Sequence, residues 1–243
     1  MEMLFAPQFW AGLGVIIWVN LLLSGDNAVV IALASRSLPP NQQRKAIFWG
    51  SAAAIVLRII LTVFAVALLA FPYLKIVGGV LLVWIGYNLL VEGDDEGHVD
   101  GHDNLMAAIK TILIADLVMS LDNVLAVAGA AKSAAAGVPG NAELVLLILG
   151  LAISIPIVIF GSSLVLKLME RLPIIITLGA ALLGWIAGDM IVTDRAIEGW
   201  IDENAMWLKT FYVAKIVGAL LVIAIGAALC KRRKPAASVS PQP

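Results

Sequence analysis

Seven stretches of mostly apolar residues, each about as long as a bilayer is thick, constrain this chain more than anything else in it. They run over 9–35, 46–70, 73–91, 105–131, 143–168, 172–192 and 207–229. A helix needs about 20 mostly apolar residues to cross the hydrocarbon core. Of the 243 residues, 61% are hydrophobic and 14% charged. A soluble domain is about 45–50% apolar and about 25% charged, so a soluble globular fold is excluded. No stretch alternates with period two for the length a barrel strand requires. The expected class is all-α: a polytopic membrane protein of seven transmembrane helices.

Breakers separate the stretches: Pro39-Pro40-Asn41, Phe71-Pro72, the acidic run 92–104, residues 137–141 (GVPGN) and Leu172-Pro173. The start, MEMLFAPQFW, has no basic region or small-residue cleavage site, so the first hydrophobic segment is expected to stay. A net charge of −1 gives no basic face for nucleic acid. The single cysteine, Cys230, excludes an intrachain disulfide and a cysteine metal cluster. Basic residues flanking the spans set orientation. Arg36, Arg44, Lys45, Lys110, Lys167, Arg171, Lys231, Arg232, Arg233 and Lys234 fall on one side; Lys75, Lys132, Arg195 and Lys209 fall on the other. This predicts an outside N-terminus and a cytoplasmic C-terminus.

The chain also repeats itself. SGDNAV at 24–29 answers SLDNVL at 120–125, and PYLKIVGGVLLVWIGYN at 72–88 answers PIIITLGAALLGWIAGD at 173–189. Six positions of the longer window are identical, including Pro72/Pro173 and Trp84/Trp185. Three helices per copy is an odd number, so the second copy must be inverted, as in many secondary transporters with a midplane site between the halves. The expected organisation is a three-helix repeat over 1–91, a cytoplasmic acidic and histidine-bearing loop over 92–104, and an inverted repeat over 105–192. An outer loop and seventh helix follow over 193–229, then a basic and disordered tail over 230–243.

Ionisable residues inside apolar spans are costly, so Asp26, Arg58, Asp116, Asp122, Asp189 and Lys215 are the candidates for function. Asp26 and Asp122 are repeat equivalents, each followed by Asn (Asn27, Asn123) and preceded two residues earlier by Ser (Ser24, Ser120); Asn20 corresponds to Asp116. On a continuous helix, positions 20, 24, 26 and 27 share an arc of roughly 160°, as do 116, 120, 122 and 123. If the two helices cross, carboxylates, amide carbonyls and hydroxyls meet without His or Cys, a donor set suited to Mn2+, Mg2+ or Ca2+. Gly25 offers a place for the first helix to loosen. Interhelical hydrogen bonding alone is the structural alternative. Asn88 and Asp189, also repeat equivalents, fit either an outer shell or access path, or packing. Arg58 fits a structural ion pair with an Asp, or an internal cation standing in for substrate in an empty exchanger. Lys215 fits a snorkelling side chain. The loop 92–104, with His98 and His102, fits a solvated acidic loop or a weak metal-collecting one.

The segments NLLLSGDNAVVIALASRSLP (20–39) and DLVMSLDNVLAVAGAA (116–131) resemble the TerC family, and the resemblance extends over nearly the whole chain. It implies manganese efflux across the bacterial cytoplasmic (inner) membrane and a role in supplying metal to exported proteins. On that pattern Asp26, Asn27, Asp122 and Asn123 form the core of the metal site, and Asp116 lies beside it. No tightly bound cofactor is expected; Mn2+ is the transported substrate, with Ca2+ or Mg2+ as other candidates. Expected partners are the divalent ion, membrane lipid, a second copy of the chain and secretion machinery. Coupling to inward proton movement follows from carboxylates able to carry either metal or protons. Two other classes remain open: a non-transporting membrane scaffold, and an intramembrane aspartyl protease built on Asp26 and Asp122. A symmetric Asp-Asn pair argues against the protease.

Overall fold

The computed structural model describes residues 6–64, 71–91, 101–135 and 142–233, without the side chains of 101–104, 122, 125 and 231–233. Most of the acidic loop, with His98, and the tail beyond Arg233 lie outside the described residues, as does the His102 side chain. Every described regular element is helical: α1 (Pro7–Leu22), α2 (Gly25–Ser35), α3 (Pro40–Val63), α4 (Leu74–Val91), α5 (Gly101–Ala134), α6 (Ala142–Arg171), α7 (Ile174–Val192), α8 (Glu198–Asn204), α9 (Trp207–Thr210) and α10 (Val213–Arg233). Among the described residues, five helices are long and apolar enough to cross a bilayer unbroken. Two more spans are bent: α1 and α2 meet at 50°, and α5 turns by 64° between Leu105–Leu121 and Ala126–Ala134. Counting each bent pair as one span gives seven.

The last span begins at Val213, not at 207, because Tyr212 sits at φ 55° and turns the chain between α9 and α10. The short helix α8 lies in the expected outer loop, and α9 takes up the first residues of the segment expected to form the seventh span. Large apolar side chains such as Trp18, Trp49, Phe160 and Leu220 lie exposed on the spans. An outward-facing apolar surface of this kind suits lipid and would be a liability in water.

The packing is reciprocal. α3, the second span of the first half, lies against α5, the first span of the second half. α1 and α2, the first span of the first half, lie against α6, the second span of the second half. The third spans, α4 and α7, pack on each other, and α10 covers both. Gly12 of α1 abuts Ala134 at the end of α5, so the two motif-bearing spans run in opposite directions. α7 and α10 approach closest: a Cβ at Gly184 or Gly188 would overlap the backbone of Gly218 or Ala214. Small residues four apart on both helices permit this contact, the packing that replaces hydrophobic burial within a membrane.

α4 is held at both ends by charge. The Asp194 carboxylate, 1% exposed, accepts from the backbone N–H groups of Tyr73 (2.9 Å), Lys75 (2.9 Å) and Ile76 (3.2 Å), and from Ala196 (2.7 Å). At the other end Arg36 donates to the Leu89 carbonyl at 2.6 Å. An anion at the N-terminus and a cation at the C-terminus both complement the helix dipole. Burial by itself would push the Asp194 carboxyl up, but the four backbone donors win and hold it below the usual carboxylate range. With its folded value depressed, the clamp's stabilisation is complete above the unfolded value of about 4 and is lost as pH falls through the folded value. Asp194→Ala should lower the thermal midpoint by the equivalent of about 2 kcal/mol, because three N–H groups at the start of α4 lose their acceptor. The difference from the unaltered protein should shrink in melts at pH 3; a difference that is constant from pH 7 to pH 3 would show that the charge is irrelevant.

Candidate cation site at the helix breaks

The first span breaks where the SGDN motif begins. Leu23 (φ −85°, ψ 0°) and Ser24 (φ −115°, ψ 2°) leave helical geometry, and α2 restarts at Gly25. In an unbroken helix the Leu23 carbonyl would accept from the Asn27 N–H. Here the Asn27 N–H goes instead to the Asp26 carboxylate, at 2.9 Å. Asp26 thus sits in the first turn of α2, where the helix dipole favours an anion. The freed Leu23 carbonyl is taken by two side-chain amides, Asn123 Nδ2 of α5 at 3.0 Å and Asn27 Nδ2 at 3.5 Å. Those two asparagines are the repeat equivalents, so the motifs of the two halves converge on one backbone oxygen. The Asn27 Oδ1 is buried and has no donor, and the same is true of the Asn20 Nδ2 as an unmet donor.

Beside this point lies a second cluster around Arg58, which projects from the middle of α3 and is 3% exposed. Its Nη2 pairs with the Asp116 carboxylate. Its Nε donates to Ser120 Oγ at 3.0 Å, and its Nη1 to Asn20 Oδ1 at 3.2 Å and Ser24 Oγ at 3.1 Å. Ser120 in turn donates to the other Asp116 oxygen at 3.2 Å. Asp26 is within electrostatic reach of both Arg58 and Asp116. One guanidinium thereby connects α1, the break, α3 and α5. Beyond it, about 440 Å³ of open space lies between the ends of α3, α5 and α6, bordered by Thr62, Val63, Ala128, Glu143 and Leu147. Thr62 is one turn from Arg58 and donates to its carbonyl at 2.7 Å.

The structure therefore brings together Asn20, Ser24, Asp26, Asn27, Asp116, Ser120 and Asn123, but in two adjoining groups and not along one continuous oxygen face. The break between Leu22 and Gly25 is the reason: it turns Asn20 and Ser24 toward Arg58 and leaves Asp26 and Asn27 at the start of a new helix. Among the described residues no three His, Cys, Asp or Glu side chains form a metal-holding group. The Asp122 side chain lies outside the described residues, and Asp116 faces Arg58. Asp189 stands apart from this centre, 3.0 Å from Lys215 on α10. Lys215 is not merely snorkelling: it lies over the Trp185 and Tyr212 rings at 5.8 and 5.4 Å. Asn88 lies partly buried near the opposite end of α4, toward Arg36. Residues that the sequence left unremarked are Leu23, whose role comes from its backbone, and Asp194, which accepts from backbone N–H groups about 120 residues away in the chain. Glu143, at the mouth of the cavity, is the third.

The neutral repeat mate Asn20 suggests that Asp116→Asn is mild, yet that substitution would strip the buried Arg58 of its counter-charge. Removing one partner of a buried pair costs about 3–5 kcal/mol. Asp116→Asn and Arg58→Met should each sharply lower the thermal midpoint, and the double variant should recover most of the loss. Additive losses in the double variant would mean that the pair carries no coupling energy.

The family model for the integral membrane protein TerC family matches residues 5–235. The chain is 45% identical over 190 residues to the membrane protein YjbE of Bacillus subtilis (strain 168), covering 78% of this chain and 83% of that one. It is 25% identical over 232 residues to the inner membrane protein YgdQ of Escherichia coli (strain K12), covering 86% and 93% respectively. It matches only 29% of the longer inner membrane protein YoaE of the same strain, at 29% identity over 149 residues. No solved structure matches. A multi-pass helical bundle, paired SGDN and SLDN motifs meeting at its centre, and a family match over nearly its whole length agree: the chain belongs to the TerC family of integral membrane proteins.

Proposed function

We propose that this chain exports a divalent cation, Mn2+ foremost, across the bacterial cytoplasmic membrane. The observation that carries the proposal is the broken span at SGDN. There a carboxylate (Asp26) and a buried amide oxygen with no donor (Asn27 Oδ1) come together beside a backbone carbonyl that has left the helix (Leu23) and is capped by the amides of Asn27 and of Asn123 from the opposite-running motif. Unwound membrane helices whose free carbonyls face a midplane site are the usual cation sites of repeat-built transporters. The donors are hard oxygens, which suit Mn2+, Mg2+ and Ca2+ better than zinc or copper. Asp122, the repeat mate of Asp26, supplies the second carboxylate in this reading. The two symmetric carboxylates then balance one divalent charge; in the metal-free protein Asp116 is paired with Arg58.

The space beyond Thr62, with Glu143 at its rim, supports an exit path on the side where α1 begins. The excess of basic residues at the opposite flanks supports an orientation with that side outside the cell and the C-terminus in the cytoplasm. Inward protons are the proposed coupling ion, since the same carboxylates bind either species, and release of Mn2+ outside would supply metal to exported proteins.

Asp26→Asn and Asp122→Asn keep size and an acceptor oxygen but remove one negative charge each. In a low-dielectric interior that loss is weakly screened. Manganese-loaded cells expressing either variant should hold as much manganese as cells lacking the protein, at equal protein levels. Manganese as low as with the unaltered protein would overturn the site. A C-terminal reporter active only in the periplasm should stay silent; a signal from it would reverse the orientation and with it the direction of export.

A further inference from the structure

The central ion pair lies where the two repeats stop matching. Asn20 and Asp116 are equivalent positions, and only the second is charged. Arg58 lies on α3, and the corresponding stretch of α6, residues 154–159 (SIPIVI), contains no cation. The fold therefore departs from its own symmetry twice at this point, by one negative and one positive charge, and the two departures are paired with each other.

A counter-charge for Asp116 needs only one edge of the guanidinium. Arg58 uses every nitrogen: Nη2 on Asp116, Nε on Ser120, and Nη1 on both Asn20 and Ser24. It thus gathers a carboxylate, an amide oxygen and two hydroxyls from the two opposite-running motif spans. These are the kinds of oxygen that a hard divalent cation would take. Arg58 is nearly sealed from solvent, and Asp26 feels its charge.

We propose that Arg58 is the resident cation of the empty transporter, holding the oxygen groups of the two motif spans together until the metal ion displaces it. The proposal rests on the chain being a divalent-cation transporter and names a step in that cycle. The physical need is plain. Without a cation the buried Asp116 carboxylate would be uncompensated, a state costly in low dielectric. With Arg58 seated on Asp116 and the coupling protons on the remaining carboxylates, the metal-free protein is compensated and can reorient. When a divalent ion arrives, its greater charge takes the carboxylates, and the long arginine side chain withdraws. Metal affinity is correspondingly weakened, because the metal must first displace an internal competitor, just as a competent state populated only part of the time lowers apparent affinity.

The test uses the purified full chain in lipid vesicles, with Mn2+ as the probe. Three quantities are compared between the unaltered protein, Arg58→Gln and Arg58→Lys: Mn2+ affinity, net Mn2+ flux, and exchange of labelled for unlabelled Mn2+ across the membrane. Arg58→Gln should bind Mn2+ roughly tenfold more tightly, within the usual range of coupling between two competing states. It should keep Mn2+–Mn2+ exchange within a few-fold of the unaltered protein. Net flux should fall by about tenfold or more, because the empty form cannot return. Arg58→Lys keeps a charge but cannot span four acceptors, so it should show the same split to a smaller degree. Parallel loss of exchange and net flux, weaker Mn2+ binding, or failure of both variants to fold would make Arg58 a structural counter-charge and overturn the proposal. Absence of Mn2+, Ca2+ and Mg2+ flux in the unaltered protein would instead remove the transporter reading on which it rests.

Discussion

A single buried guanidinium decides how the two halves of this protein meet. Arg58 has one of the strongest needs of any side chain in an apolar interior: a permanent charge and a planar set of donors, all wanting acceptors. It finds them on α1, at the α1–α2 break, and on α5. Those elements belong to both motif spans, which run in opposite directions. Apolar packing inside a membrane is weakly directional, because lipid tails are as apolar as leucine. The polar cluster supplies the direction that packing lacks, fixing which faces of α1, α3 and α5 turn inward.

The helix break follows the same logic of satisfying polar groups. A bent span within a bilayer exposes backbone groups that no water can cover, and each such group is expensive. The SGDN segment meets this cost locally. The Asp26 carboxylate takes the Asn27 N–H, and the amides of Asn27 and Asn123 take the Leu23 carbonyl. The motif's residues therefore do structural work and expose chemistry at once. The same asparagine that covers a backbone carbonyl leaves its own amide oxygen buried without a donor. A buried amide oxygen left without a donor beside a carboxylate is suited to receive a cation.

Around this centre the scaffold is closely tied together. α4 is tied at its start by Asp194 and at its end by Arg36. α7 and α10 pack backbone to backbone through Gly184, Gly188 and Gly218. The bent spans, α1–α2 and α5, and the arginine between them lie outside these tight contacts.

Much of this was already written in the sequence, and for identifiable reasons. Run length and composition set the helical, multi-pass class, because a bilayer accepts little else. The offset between SGDN and SLDN marked Asp26, Asn27, Asp122 and Asn123 as partners, and the cost of a buried charge marked Arg58 and Asp116. What no sequence pattern contained was the pairing among them. A helix face drawn at a constant angle per residue cannot foresee a break at Leu23, since the break is stabilised by Asn123, about 100 residues away, through a backbone oxygen that every residue type possesses. For the same reason Asp194 was invisible as a clamp: its acceptors are used by N–H groups of Tyr73, Lys75 and Ile76, which carry no side-chain signature. The sequence by itself determined which charges must be hidden; the tertiary structure decided which oxygen and which nitrogen each would meet, because in a membrane interior that choice rests on contacts between spans and not on the order of residues along one of them.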